Sequence, residues 1–154
     1  MSKNFFSLIH SDLTAAKKRD PAARTNIEII FTYSGFHAIF GYRIAHFFWK
    51  IRLKFISRFL SNLVRIITSV EIHPAAVIGR GFFIDHGAGL VIGETCKIGE
   101  NVTMYQQTTL GGISPSLDSL SQRNITPYML MFSPLNFTNI DPFLSHFPKW
   151  TKRS

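Results

Sequence analysis

The sequence predicts an α+β chain in which a helical N-terminal domain (residues 1–70) leads into a short β-solenoid of hexapeptide repeats (71–112) and then an irregular tail (113–154). Three observations predict it. Before residue 70, apolar residues recur at the 3, 4, 7 spacing of a helix face. From Ile72 they recur every six residues, which is the period of a β-helical solenoid and of neither a helix nor an ordinary strand. After residue 112 no period survives, and the composition changes: all ten glycines lie before residue 113, while five of the seven prolines follow it.

The first helix is expected over residues 5–18, ending before Asp20-Pro21, because the residue preceding a proline is driven out of the helical region. Tyr33-Ser34-Gly35 marks a break between helices. Beyond it Phe36, Ile39, Phe40, Ile44, Phe47, Phe48 and Ile51 fall on one apolar face, leaving Arg43, His46 and Lys50 on a basic side. A further amphipathic stretch, about 53–70, puts Ile56, Phe59, Leu60, Leu63 and Ile67 on one face, expected to be core.

In the solenoid, Ile72, Ile78 and Ile84 are six apart, Ile92 follows after eight, and Ile98, Met104 and Leu110 return to six. Three short strands make one triangular coil, and the aliphatic residue of each hexad points into a shared core. These seven hexads make a little over two coils. The two extra residues between Ile84 and Ile92 predict a small bulging loop beside His86. The tail cannot extend such a solenoid, so the last coil would present unpaired strand edges unless something covers them.

The formal charge of +8 suits an anionic partner or a solvated basic helix face. The single cysteine, Cys96, excludes an internal disulfide and reads as a small packing residue. The uncharged, largely apolar run 29–42 is shorter than the roughly 20 residues of a membrane span. The N-terminus has no signal-peptide layout. A cytoplasmic chain that binds neither membrane nor nucleic acid is expected.

Two acid–histidine combinations carry chemistry. An imidazole such as His86 can take a proton from a hydroxyl, provided a carboxylate fixes its tautomer. Asp85 is adjacent, but neighbours in an extended chain point to opposite sides. Glu71 lies fifteen residues earlier, close to one coil, and is the preferred partner. His73-Pro74 reads as a turn, and Gly111-Gly112 as a place where a ligand approaches the backbone. No metal-ligand spacing, phosphate loop or nucleophile elbow appears.

The run Glu71-Ile-His-Pro-Ala-Ala-Val-Ile-Gly-Arg-Gly-Phe-Phe-Ile-Asp-His86-Gly, continued by Val91-Ile-Gly-Glu-Thr95 and Thr109-Leu-Gly-Gly112, resembles the serine O-acetyltransferases. Arg19-Asp20-Pro21-Ala22, Gly35-Phe-His-Ala38 and Tyr42-Arg-Ile-Ala-His46 resemble that family's helical domain, so the likeness covers roughly residues 8–112. It implies a left-handed β-helix and assembly as trimers or paired trimers. It also implies transfer of acetyl from acetyl-CoA to the hydroxyl of L-serine, giving O-acetylserine for cysteine synthesis, with no metal. By resemblance, His86 is the general base, Glu71 the acid orienting it, and Asp20 the acid holding serine through its ammonium. Gly111 and Gly112 line the acetyl-CoA site between adjacent β-helices.

After Gly112 the family continues with an Arg-His-Pro element, further coils and a tail that docks on cysteine synthase; none is recognisable here, so that docking is not expected. Arg123-Asn-Ile-Thr-Pro127, written AGA AAC ATC ACC CCN and read two nucleotides on, spells Lys-His-His-Pro. This predicts that residues from about 114 are a shifted reading frame, which the gene's nucleotide sequence tests. The competing readings are a non-catalytic remnant that keeps an oligomerisation surface, and a hexapeptide acyltransferase acting on a sugar.

Overall fold

The structure, a computed structural model, describes residues 4–111 and the backbone of residues 128–130. Its helices are α1 (Phe5–Arg19), α2 (Asn26–Thr32), α3 (Ser34–Lys50) and α4 (Lys54–Thr68). Helix α1 ends where expected, with Asp20 extended and its N–H returned to the Ala16 carbonyl at 3.0 Å. Lys17, Lys18 and Arg19 in the last turn suit the negative end of the helix dipole. Helix α2 starts on a Thr-x-x-Glu cap: Thr25 Oγ1 accepts from the Glu28 N–H at 3.1 Å, and Glu28 Oε2 accepts from the Arg24 N–H at 3.1 Å. Tyr33 alone separates α2 from α3, in an extended conformation.

Seven short strands follow: β1 (Glu71–Ile72), β2 (Val77–Ile78), β3 (Phe83–Ile84), β4 (Val91–Ile92), β5 (Lys97–Ile98), β6 (Thr103–Met104) and β7 (Thr109–Gly111). All pair in parallel, β1 with β4, β4 with β7, β2 with β5 and β3 with β6, so that Ile72 lies on Ile92 and Ile78 on Ile98. Three sheets are thus the sides of stacked coils, two complete and a third begun. Each hexad residue from Ile72 to Met104 is buried. The residues two positions earlier are buried as well: Val70, Ala76, Phe82, Leu90, Cys96, Val102 and Thr108. The six-residue period therefore carries two inward side chains per side, at the alternation of a strand. Within the stretch expected to be irregular, β8 (Tyr128–Leu130) runs antiparallel along β7. The rest of 112–154, with its reading-frame question, lies outside the described residues.

Two expectations about the helices are corrected. On α3, Phe36 and Ile39 are buried, but Phe40 and Phe47 are exposed, as is Ile51 just after the helix. Arg43, expected on a basic side away from the apolar stripe, is 5% exposed. The reason is the surface beneath: the first coil offers the carbonyls of Ile78 and Gly79, and the guanidinium donates to both while pairing with buried Asp12 of α1. Buried carbonyls need donors, which Phe cannot supply.

Helix α4 is inverted. Phe59 and Ile67, expected in the core, are 56% and 77% exposed, whereas Ser57 is fully buried and Thr68 nearly so. Small hydroxyl residues face inward because they allow close approach and satisfy backbone oxygens. Ser57 Oγ donates to the Ala45 carbonyl at 2.6 Å and Ser61 Oγ to the Ile72 carbonyl at 2.7 Å.

Candidate active site

The eight-residue gap between Ile84 and Ile92 forms the predicted loop, built from left-handed backbone. His86 has φ +59°, Gly87 +83° and Gly89 +72°. Glycine adopts this region freely, whereas for His86 it is uncommon. The loop is tied down at its far end: the Gly89 N–H donates to the Ser69 carbonyl at 2.9 Å, and the Glu71 N–H to the Leu90 carbonyl at 2.8 Å. At its near end the helical domain holds it, with Ser34 Oγ donating to the His86 carbonyl at 3.0 Å. This contact needs Gly35, since a Cβ there would run into the Ile84 carbonyl oxygen.

The His86 imidazole projects outward, its side chain 77% exposed, with Nε2 3.7 Å from Asp85 Oδ1. The expectation that Asp85 and His86 point apart assumed extended backbone, and the left-handed turn at His86 removes that assumption. Glu71 shares the loop's base, but its Oε2 accepts from Arg65 Nη1 at 3.2 Å, and no hydrogen bond joins it to His86. Both partners of that pair are about half exposed, so the contact is worth roughly 0–1 kcal/mol and holds Glu71 weakly.

Asp20 is brought to the same region. Its Oδ2 accepts from the Tyr33 hydroxyl at 2.6 Å and its Oδ1 from the Ala22 N–H at 2.8 Å. The hydrogen bond to Asp20 pushes the Tyr33 phenol up to about 12, helped by desolvation and by the charges of Asp20, Glu28 and Asp85. Tyr33 therefore stays a donor. The preceding residue, Arg19, fixes the end of α1 to two coils: its Nη1 donates to the Gly81 carbonyl at 3.1 Å, the Val102 carbonyl at 3.2 Å and Thr103 Oγ1 at 3.1 Å. Asp20, Tyr33, Ser34, Asp85 and His86 thus form one cluster, open to solvent and acidic on the helical side. Sequence reasoning missed Tyr33 and Ser34 as site residues, although it marked them as a helix break.

Gly111 stands elsewhere, in β7, two strands across the sheet from Glu71; a Cβ on it would meet nothing within 4 Å. Gly112 lies outside the described residues. His73 is a turn residue as expected, its Nδ1 accepting from the Ala75 N–H at 3.1 Å. Burial lowers its affinity for a proton, and the Arg58 charge adds to this. Cys96 is buried with its thiol pushed up by desolvation, consistent with packing. Among the described residues no three His, Cys, Asp or Glu side chains come together as a metal site, and no helix is long and apolar enough to cross a membrane.

Residues 2–40 match the family model of the serine acetyltransferase N-terminal domain. A serine acetyltransferase of Bacillus pumilus is 57% identical over 108 residues, which is 70% of this chain and 50% of the relative. The soybean serine acetyltransferase solved with serine superposes with a TM-score of 0.70 at 38% identity, over 72% of this chain and 46% of that one. A serine acetyltransferase solved in complex with CoA gives a TM-score of 0.69 at 38% identity, over 72% and 48%. The chain spans about half the length of the curated relatives it matches.

Proposed function

We propose, for a chain that is similar to the serine acetyltransferases in sequence and in fold over two thirds of its length, that it serves their reaction: acetyl transfer from acetyl-CoA to the hydroxyl of L-serine. The observation that supports this most directly is the cluster itself, in which an exposed imidazole stands 3.7 Å from the Asp85 carboxylate, while a phenol and a backbone N–H hold a second carboxylate, that of Asp20, in place.

In this reading Asp20 binds the serine ammonium. Two acceptor contacts fix its carboxylate without neutralising it, so it meets a cation at little reorganisation cost. His86 removes the hydroxyl proton as the oxygen attacks the thioester carbonyl, and the imidazolium returns that proton to the departing thiolate. General-base help of this kind contributes roughly 10² to 10⁴ in rate. Glu71 is the proposed orienting acid, reached by turning its side chain away from Arg65. Asp85, already 3.7 Å from Nε2, adds negative charge on the serine side. Gly111 and Gly112 would let acetyl-CoA lie close to the backbone, along a left-handed solenoid in a trimer or pair of trimers.

The test is thiol release from acetyl-CoA by the purified chain, with and without L-serine, beside His86→Ala. Serine-dependent release that falls at least about 100-fold in the variant is expected. Glu71→Gln and Asp85→Asn then separate orientation, read in kcat, from serine binding, read in KM. No serine-dependent release from folded protein, or full activity in His86→Ala, would overturn the proposal. Release driven equally by sugar hydroxyls would move the chain to the sugar acyltransferases.

A further inference from the structure

Tyr33 and Ser34 reach the two halves of the site from one point of the chain. Tyr33 is the single residue between α2 and α3, and both helices hold its backbone. Its N–H donates to the Ile29 carbonyl at 3.2 Å, and its carbonyl accepts from the His37 N–H at 3.0 Å. Its ring packs against the small core of Ala15, Ala16, Ile29, Phe36 and Phe83, while its hydroxyl leaves that core to donate to Asp20 Oδ2 at 2.6 Å. Ser34 opens α3 and reaches the solenoid instead, its Oγ donating to the His86 carbonyl at 3.0 Å. The close approach of Gly35 to the Ile84 carbonyl keeps this dipeptide pressed against the loop.

We propose that Tyr33 and Ser34 are positioning residues, one for each half of the reaction: Tyr33 sets serine affinity through Asp20, and Ser34 sets proton removal through the main chain of His86. This rests on the reaction proposed above. The Ala22 N–H closes an Asx turn on Asp20 Oδ1 and fixes where the carboxylate starts. That bond alone leaves the group free to swing about Oδ1, and the phenol on Oδ2 removes the swing. A short hydrogen bond to an ionised acceptor is among the stronger kinds, and each oxygen keeps a lone pair for a cation. An ammonium held throughout proton transfer is bound equally in the ground and transition states. Losing the hold of Tyr33 therefore raises KM and leaves kcat. Ser34 acts at a different step. His86 stands at φ +59°, a region uncommon for a residue with a side chain. Its exposed ring takes its direction from the backbone, and the bond to its carbonyl fixes the peptide plane that follows Cα. A base set away from the hydroxyl is felt as the proton moves, so this loss falls on kcat.

The experiment is steady-state thiol release from acetyl-CoA by the full chain, with L-serine varied, on the wild type, Tyr33→Phe, Ser34→Ala and Ser34→Thr. Tyr33→Phe keeps the packed ring, Ser34→Thr restores the hydroxyl, and circular dichroism checks folding. Should Ser34→Ala not fold, Ser34→Val, the isostere of the threonine variant, gives the same comparison. In Tyr33→Phe the KM for serine is expected to rise about 10-fold, the low end for a hydrogen bond to a charged group, with kcat and the KM for acetyl-CoA within about 2-fold. In Ser34→Ala kcat is expected to fall about 10-fold with the serine KM little changed, less than the roughly 10²-fold of a 1 Å misplacement, and Ser34→Thr to recover it. In an Asp20→Asn background Tyr33→Phe has no further effect, because it acts through that carboxylate. A merely structural pair would lower kcat and both affinities together. Losses shared between kcat and KM in both variants, no loss in either, or a Tyr33→Phe effect that survives Asp20→Asn, would overturn the proposal. A wild type without serine-dependent release overturns the reaction, and with it the part given to Ser34. Calorimetric titration with L-serine still decides the part given to Tyr33: about 10-fold weaker binding in Tyr33→Phe upholds it, and equal binding, or none in the wild type, refutes it.

Discussion

Replacing Asp12 by alanine should be the most damaging single change in the helical domain. Asp12 is 1% exposed and its carboxylate accepts from Arg43 Nε at 3.1 Å, Arg43 Nη2 at 3.3 Å and the Phe82 N–H at 3.0 Å. It thereby joins α1, α3 and the first coil. Burial pushes its carboxyl up, while the Arg43 charge and hydrogen bonds pull against this. Removing the acid leaves a guanidinium that is itself 5% exposed, with only the Ile78 and Gly79 carbonyls as partners, and it orphans the Phe82 N–H. Breaking one side of a buried pair costs about 3–5 kcal/mol, against a total stability of roughly 5–15 kcal/mol. At about 2–4 °C per kcal/mol, the melting temperature falls by roughly 6–20 °C. The assay is urea and thermal denaturation followed by circular dichroism, on Asp12→Ala, Arg43→Met and the double variant. Because the cost is an uncompensated charge, the double variant should be more stable than Asp12→Ala. A single-variant cost below about 1 kcal/mol, or a double-variant cost equal to the sum of the singles, would refute the reasoning.

Gly35→Ala tests how the helical domain meets the loop. A methyl group gains up to about 1 kcal/mol of helix propensity, but its collision with the Ile84 carbonyl costs about 1–3 kcal/mol; a net loss of stability is expected, and an unchanged or raised melting temperature would contradict the close packing of α3 on β3. The pH dependence follows from His46 and His73, both held below the usual 6.5 by burial first of all. The unfolded chain binds their protons more readily, so stability is complete above pH 6.5 and is lost as the pH falls through the folded values. A lower melting temperature at pH 5.5 than at pH 7.5 is expected, with a smaller difference in His46→Gln/His73→Gln; a flat or opposite profile would rule this out.

The solenoid was the most legible part of the chain because its code is local. Each coil repeats one spacing, and a departure from it, the eight residues before Ile92, marks the loop that carries His86. The helices were legible in position but not in orientation. A 3.6-residue pattern shows that α4 has an apolar face, yet it does not show which face meets the rest of the chain. Here the choice was made by close approach and hydrogen bonding: Ser57 and Ser61 are small enough to let α4 lie against α3 and β1, and they donate to the Ala45 and Ile72 carbonyls at 2.6 and 2.7 Å. The same competition placed Arg43 inward and Phe40 and Phe47 outward. Hydrophobicity read alone could not anticipate it, because the deciding groups belong to backbone from another part of the sequence.

The candidate site extends this argument. Its two halves were both visible as irregularities: a helix break at Tyr33-Ser34-Gly35 and a surplus of residues in the loop after Ile84. Each alone reads as a turn. Their meaning comes from being stitched together, Ser34 to the His86 carbonyl and Tyr33 to Asp20, with Gly35 thin enough to allow the approach. The backbone of the loop is held from the helical side, while the imidazole itself is left free in solvent. A general base has to be held near the hydroxyl it serves and yet be reached by substrate, and a fixed main chain with an exposed ring meets both demands. Glu71, held only by a half-exposed Arg65, has the same freedom. The elements that fix the site are therefore the ones that break the sequence patterns, and the groups proposed to react are the ones those elements leave unconstrained.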